Sequence, residues 1–293
     1  RERIQVQGDM ISKEDTMRLG NRLLSMDFGV CPTMFDYCLA MALLYFKEQK
    51  CDVVILETGL GGTYDSTNAC GVPDVTVIAK IGFDHMAILG DTLAQIAAEK
   101  AGIIKHGTAL VLESQEKEAM DVLNKDAERA DIKTIKVVNL DEIRILPQKD
   151  GKQCFSYAGY DAVTMKMLGV HQYENAVAAM LAAELFFEKY FAGKKNVPER
   201  KALQHAIREG IDRTQWMGRM ELVSNDPFFL MDGAHNSNGV EALKKSLETM
   251  YPDEKFHFIM GVMADKDYGE MIRELLPLAL DFKTVTVESE RAL

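Results

Sequence analysis

Short runs of branched apolar residues, set among stretches with helical periodicity, constrain this chain more than any other feature. Residues 52–56 (Asp-Val-Val-Ile-Leu), 75–79 (Val-Thr-Val-Ile-Ala) and 109–112 (Ala-Leu-Val-Leu) are too short for helices and are rich in branched side chains. Each is expected to be a buried strand. Buried strands alternating with helices imply a mostly parallel sheet covered on both faces. Helices are expected over 12–29, opened by a capping-box-like Ser12-x-x-Asp15, and over 34–49, opened by Pro32-Thr33. Two more are expected, from Thr92 to Ala101, closed by Gly102, and over 114–129.

Residues 134–168 break this rhythm. Short strands over 135–138, 153–157 and 163–168, separated by turn residues such as Asp150-Gly151, read as a small antiparallel addition. Helices over 171–190 and 199–209 follow. From about residue 214 the α/β pattern returns, with strands over 219–223, 228–231, 256–260 and 282–287 and helices over 237–250 and 268–276. That block is Rossmann-like. A chain of 293 residues exceeds one typical core. The expected domains are 1–213 and 214–293. Because the first residues resemble the middle of a domain and the last strand has no following helix, both are expected to be truncated.

The formal charge of −11 argues against a general nucleic-acid binder, which would show a basic face. It leaves room for anionic small substrates, because local cations, Mg²⁺ and backbone N–H groups can offset the global field. The five cysteines, Cys31, Cys38, Cys51, Cys70 and Cys154, form no Cys-x-x-Cys pair and read as reduced, mostly packed thiols. With no signal peptide and no bilayer-length apolar run, a cytoplasmic monomer without membrane or nucleic-acid partners is expected.

Ligands in an open α/β sheet bind beyond the carboxyl ends of its strands. Glu57 follows the 52–56 run and opens Glu-Thr-Gly-Leu-Gly-Gly-Thr-Tyr-Asp-Ser-Thr-Asn; His85 closes Gly-Phe-Asp-His after the 75–79 run. A carboxylate and an imidazole are reasonable Mg²⁺ ligands, the ion keeping waters and phosphate oxygens elsewhere. Taken singly, each has an ordinary reading, as a strand-end carboxylate bonded to loop N–H groups and as a loop histidine. Lys100, taken alone, is a solvated helix lysine, and Asp65 serves equally well as an Asx-turn residue.

These segments, with Glu99-Lys100-Ala101-Gly102-Ile103, His171-Gln172-x-x-Asn175-Ala176, Trp216-x-Gly218-Arg219, Asp232-Gly233-Ala234-His235-Asn236 and Met-x-Asp-Lys266-Asp, resemble the folylpolyglutamate synthase/dihydrofolate synthase family of the Mur-type amide ligases. The resemblance runs from Arg1 to Val287. It implies ATP and Mg²⁺ as cofactors, with Glu57, His85 and a carbamylated Lys100 as metal ligands and Lys100 and His235 as catalytic groups. It further implies nucleotide contacts from Asn175 (adenine), Arg219 (phosphate) and Asp232, and substrate contacts from Asp65 and Thr67. The implied reaction phosphorylates the terminal carboxylate of a folate with ATP, and L-glutamate then attacks the acyl phosphate. Dihydropteroate is an alternative acceptor in some bacterial members. The family's Gly-rich phosphate loop, expected upstream of Arg1-Glu2-Arg3-Ile4, has no counterpart here, so this chain alone is expected to have little or no ligase activity. The rival readings are a cell-wall-precursor Mur ligase and a non-catalytic nucleotide- or folate-binding module.

Overall fold

A computed structural model describes residues 1–264 and 266–286; the expected strand end at Val287, and Asp265 of the Met-x-Asp-Lys-Asp segment, lie outside the described residues. The chain divides into two compact units, Arg1–Val72 with Glu99–Ile103, and Pro73–Ala98 with Ile104–Leu293.

The first unit opens with an antiparallel ribbon in which Gln5–Val6 pairs with Asp9–Met10. Ser12 caps the Lys13–Leu24 helix by accepting the Asp15 N–H. Thr33 and Asp36 cap the Met34–Glu48 helix reciprocally, each side chain taking the other's backbone N–H. The two helices close a small core of Ile4, Ile11, Leu19 and Ala42, with Met41, Leu44, Tyr45 and Phe46 against it.

The expected buried strand over 52–56 is corrected here. These residues have no strand pairing, and Val53, Val54 and Ile55 are exposed, Ile55 by 91%. An apolar branched run becomes a buried strand only where neighbours take its N–H and C=O groups, and no described strand pairs with it.

In the second unit the parallel sheet is present. Val75–Ile78 pairs with Ala109–Leu112, and that strand with Ile135–Val137. Ala109–Leu112 is the middle strand and buried throughout. The His171–Phe191 helix packs on this unit's main core, where Val177 and Met180 meet Val111, Phe155, Val163 and Met165.

The antiparallel addition has the expected three strands but a different first member: Arg144–Lys149, Lys152–Tyr157 and Tyr160–Met165 form a meander, whereas the strand expected over 135–138 belongs to the parallel sheet, which it joins through the crossover helix Lys117–Arg129. Arg144–Lys149 was hidden by its charges and by Pro147, which a strand tolerates at the sheet edge it occupies. Asp212 fastens the Arg200–Arg213 helix to this sheet, accepting from Lys152 Nζ at 2.7 Å and Thr164 Oγ1 at 2.6 Å.

The last block holds an antiparallel hairpin, Glu221–Asn225 with Phe228–Met231, and a parallel pair, Phe256–Met260 with Ala279–Thr284. Ser237–Met250 and Tyr268–Leu275 are its helices. Leu168 joins Met220, Leu247 and Leu278 in one core, so this block and the preceding one share buried surface.

All five cysteines are free, but only Cys154 is buried; Cys31 and Cys70 are exposed, against the expectation of mostly packed thiols. No helix among the described residues is long and apolar enough to cross a membrane.

Candidate nucleotide and phosphate site

In the first unit the Gly-rich loop is shaped by its own side chains. Asp65 Oδ2 accepts from the N–H groups of Gly59 (2.9 Å) and Leu60 (3.0 Å), and Oδ1 accepts from Thr67 N–H (3.0 Å). Thr67 Oγ1 donates to the same carboxylate. Burial opposes ionisation of Asp65, but the Thr67 hydroxyl and these N–H groups outweigh it and hold its carboxyl below the usual carboxylate range. Asp65 is thus an Asx-type cap on the Ser66–Cys70 turn, and its oxygens are engaged within the loop.

The loop is held against residues 99–102. Thr63 N–H donates to Glu99 O (2.9 Å), and Asn68 Nδ2 donates to the carbonyls of Gly62 (2.7 Å) and Gly102 (3.2 Å). A Cβ on Gly62 would stand 2.5 Å from Glu99 O and 2.8 Å from Lys100 O, so only glycine fits. This contact sets the backbone of Lys100 directly beside the loop. Lys100 is half-buried, and Glu57 is exposed.

In the second unit, His85 lies in the left-handed region (φ 50°), a conformation that costs a non-glycine residue energy, and occupies the N-cap position of the short Met86–Leu89 helix without a side-chain capping bond. Half its side chain is exposed, and Nε2 lies 3.8 Å from Asp84 Oδ2, beyond hydrogen-bond reach. His235 directs Nδ1 at the Gly233 carbonyl (2.9 Å), which places the proton on that nitrogen, and its Nε2 lies 3.9 Å from the same Asp84 oxygen. Asp84 also accepts from Asn236 Nδ2 (2.8 Å) and Lys266 Nζ (3.1 Å). Burial opposes its charge, but Lys266, Asn236 and the His85 N–H prevail and hold its carboxyl low.

Asp232 ends the Phe228–Met231 strand and shapes its turn, accepting from Met220 N–H and Ala234 N–H, both at 2.8 Å. Arg219 lies against Gly233, where a Cβ would come within 2.7 Å of its guanidinium. His171 feels both charges. Burial pushes its imidazole down, Asp232 opposes that shift and Arg219 adds to it. Asn175 is exposed, and its Nδ2 donates to Gln172 Oε1 (3.0 Å). That bond turns the Gln172 amide nitrogen toward His171 Nε2 (3.1 Å), which must accept. The proton therefore sits on His171 Nδ1, a buried atom with no hydrogen-bond partner in the structure. This buried N–H has no acceptor among the described residues, and its imidazole lies within electrostatic reach of Asp232 and Arg219.

The structure thus places His171 within electrostatic reach of Arg219 and Asp232, and brings the His85 and His235 imidazoles to 3.8 and 3.9 Å from one Asp84 oxygen. Among the described residues no three His, Cys, Asp or Glu side chains are grouped as a metal cage. Sequence reasoning anticipated Asn236 as a helix N-cap but missed Asp84 and its bond to Asn236, and missed Glu113 altogether. Glu113, 2% exposed at the end of the Ala109–Leu112 strand, accepts the Lys80 N–H at 2.6 Å. Burial, with help from the charge of Glu174, pushes its carboxyl up to about 7. An apolar strand running into a lone acid was the signal available.

Residues 29–183 match the Mur ligase middle domain and residues 218–292 match the Mur ligase glutamate ligase domain. The chain belongs to the Mur ligase family. Within that family it resembles the folylpolyglutamate synthases. It is 36% identical to the dihydrofolate synthase/folylpolyglutamate synthase of Bacillus subtilis, over 95% of this chain and 65% of that protein. It superposes on Mycobacterium tuberculosis folylpolyglutamate synthase complexed with ADP at a TM-score of 0.84, with 29% identity, covering 100% of this chain and 66% of that one. It also matches a folylpolyglutamate synthase complex with AMPPCP and folate at a TM-score of 0.76, with 27% identity, covering 92% of this chain and 62% of that one. The chain therefore spans about two thirds of the length of these Mur ligases.

Proposed function

We propose that this Mur ligase chain belongs to an ATP-dependent enzyme that adds L-glutamate to the terminal carboxylate of a folate through an acyl phosphate, with dihydropteroate as an alternative acceptor, acting in the cytoplasm as a monomer. The observation that carries the reading is the unpartnered His171 Nδ1–H within electrostatic reach of Arg219 and Asp232. A donor, a cation and an acid within electrostatic reach of one another support a nucleotide reading, because phosphate and ribose oxygens pair with such groups. Domains 1–213 and 214–293 remain the proposed functional division.

On this reading the exposed Asn175 amide meets the adenine and Arg219 meets a phosphate. The Asp232 turn lies at the ribose or at a metal-bound water, and His235 faces the phosphates or the reacting acyl group. Asp65 and Thr67 hold the loop that receives the folate. The proposed Mg²⁺ ligands are Glu57 and Lys100 in the first unit, the latter carrying a carbamate that turns its cation into a carboxylate-like oxygen donor, and, as a separate proposal within the second unit, the imidazole of His85. That oxygen-rich set, completed by water and phosphate, suits Mg²⁺. Bound there, the ion would neutralise charge on the transferring phosphoryl group. The protein's own part is to position the folate carboxylate for phosphorylation and then the glutamate amine for attack on the acyl carbon, with phosphate as leaving group.

Titration of the chain with Mg-ADP, in wild type and Arg219→Ala, tests the nucleotide reading. Saturable binding weakened about tenfold or more by the substitution is expected, the loss of a charged hydrogen bond to phosphate. Binding indifferent to Arg219 would refute the assignment. A competing titration with a folate and with a UDP-sugar peptide separates this branch from the cell-wall ligases.

A further inference from the structure

The proposed reaction gives Lys266 no part, yet only 15% of its side chain is exposed. A buried lysine needs an anionic partner, and its partner is Asp84, 182 residues away in sequence. The same carboxylate takes the Asn236 amide, 152 residues away, and its own neighbour's N–H at His85 (2.8 Å). Asn236 in turn caps the Ser237–Met250 helix, its Oδ1 accepting Gly239 N–H at 2.8 Å. One residue from Asp84, the Phe83 carbonyl accepts from Asn238 Nδ2 at 3.0 Å. Gly82 permits that approach, since a Cβ there would lie 2.5 Å from Asn238 Nδ2.

We propose that Asp84 is a positioning residue that locks the 82–85 loop, carrying His85, to the 234–238 turn, carrying His235, with Lys266 as the buried counter-charge that holds the lock shut. The proposal rests on the ligase reading for its catalytic meaning, but not for its structural content. Two imidazoles stand 3.8 and 3.9 Å from one oxygen, Asp84 Oδ2. Neither reaches hydrogen-bond distance, so Asp84 sets where the two rings sit without occupying their Nε2 atoms. Neutralising either Lys266 or Asp84 releases both segments together, because the carboxylate is their shared fastening. A residue that merely capped the His85 turn would release only its own loop.

Hydrogen exchange of the whole chain tests this, in wild type, Asp84→Asn, Asp84→Ala, Lys266→Ala and the double variant Asp84→Ala/Lys266→Ala. In Asp84→Ala, amides of residues 85–90 and of 234–240 are expected to exchange faster together, by about tenfold, the effect of losing charge-assisted hydrogen bonds from a local opening. Lys266→Ala and Asp84→Asn, which keep a side chain able to cap the His85 N–H, shift the 234–240 amides in the same direction. The double variant exchanges no faster than Asp84→Ala, because the two side chains act through one contact. Acceleration confined to 85–90, or additive effects in the double variant, would overturn the proposal. Should Asp84→Ala fail to fold, the two milder variants decide the same question through the 234–240 amides. Mg-ADP titration of the same proteins adds the functional readout. If wild type binds no Mg-ADP, the nucleotide assignment of Arg219 falls while the exchange pattern still decides the lock.

Discussion

Replacing Glu113 with glutamine is expected to stabilise this protein in alkaline solution and to leave it nearly unchanged in acid. The folded state raises the Glu113 carboxyl from 4.5 to about 7. At about 1.36 kcal/mol per pH unit, that gap is worth roughly 3 kcal/mol. The sign follows from proton counting. Between pH 4.5 and 7 the folded chain holds the Glu113 proton more tightly than the unfolded chain, so stability falls as pH rises through that window. Above 7 the full penalty of a buried carboxylate is present, and below 4.5 none of it is. A glutamine side chain at this position stays neutral throughout, while its carbonyl oxygen can still accept the Lys80 N–H. Wild type and Glu113→Gln should therefore unfold at similar urea concentrations near pH 4.5. They should diverge steadily to pH 8.5, where the variant is more stable by up to roughly 3 kcal/mol. Differences between the two proteins cancel the titration of all other groups. Exchange at the amides of Ala109–Leu112 gives a second, local measure of the same difference. A stability difference independent of pH, or one that grows toward acid, would refute the reasoning.

Two substitutions probe the first unit. Gly62→Ala pushes a methyl group against the Glu99 and Lys100 carbonyls, which are backbone and cannot swing aside; a loss of about 1–3 kcal/mol is expected by urea unfolding, with faster exchange at Thr63. Ile55→Thr, at an exposed residue outside any sheet, should change stability by no more than about 0.5 kcal/mol, and a larger loss would restore the buried-strand reading of residues 52–56.

Much of the fold was legible because local chemistry and burial agree there. Ala109–Leu112 is apolar at every position and lies buried between two strands. Ser12, Thr33 and Asn236 cap helices where short polar side chains precede amphipathic runs, and their hydrogen bonds span only three residues. Residues 52–56 show the limit. Their composition is that of a strand, but a strand is defined by neighbours, which local sequence does not supply. Arg144–Lys149 fails in the opposite sense, since an edge position lets a charged, proline-containing segment join a sheet on backbone bonds alone.

The site divides along the same line. The sequence alone determined which residue types stand at the turns: the glycines beside Asp65, the acid and histidine at 84–85, and the Asp232–Asn236 run. Such loops are set by φ preferences and by hydrogen bonds only a few residues long. Tertiary structure alone decided that Asp84 meets Lys266 and Asn236, that His171 keeps a buried N–H unpaired, and that Glu113 holds its proton near neutrality. Those properties depend on the dielectric and on partners brought from more than a hundred residues away or from neighbouring strands, and no local pattern encodes either.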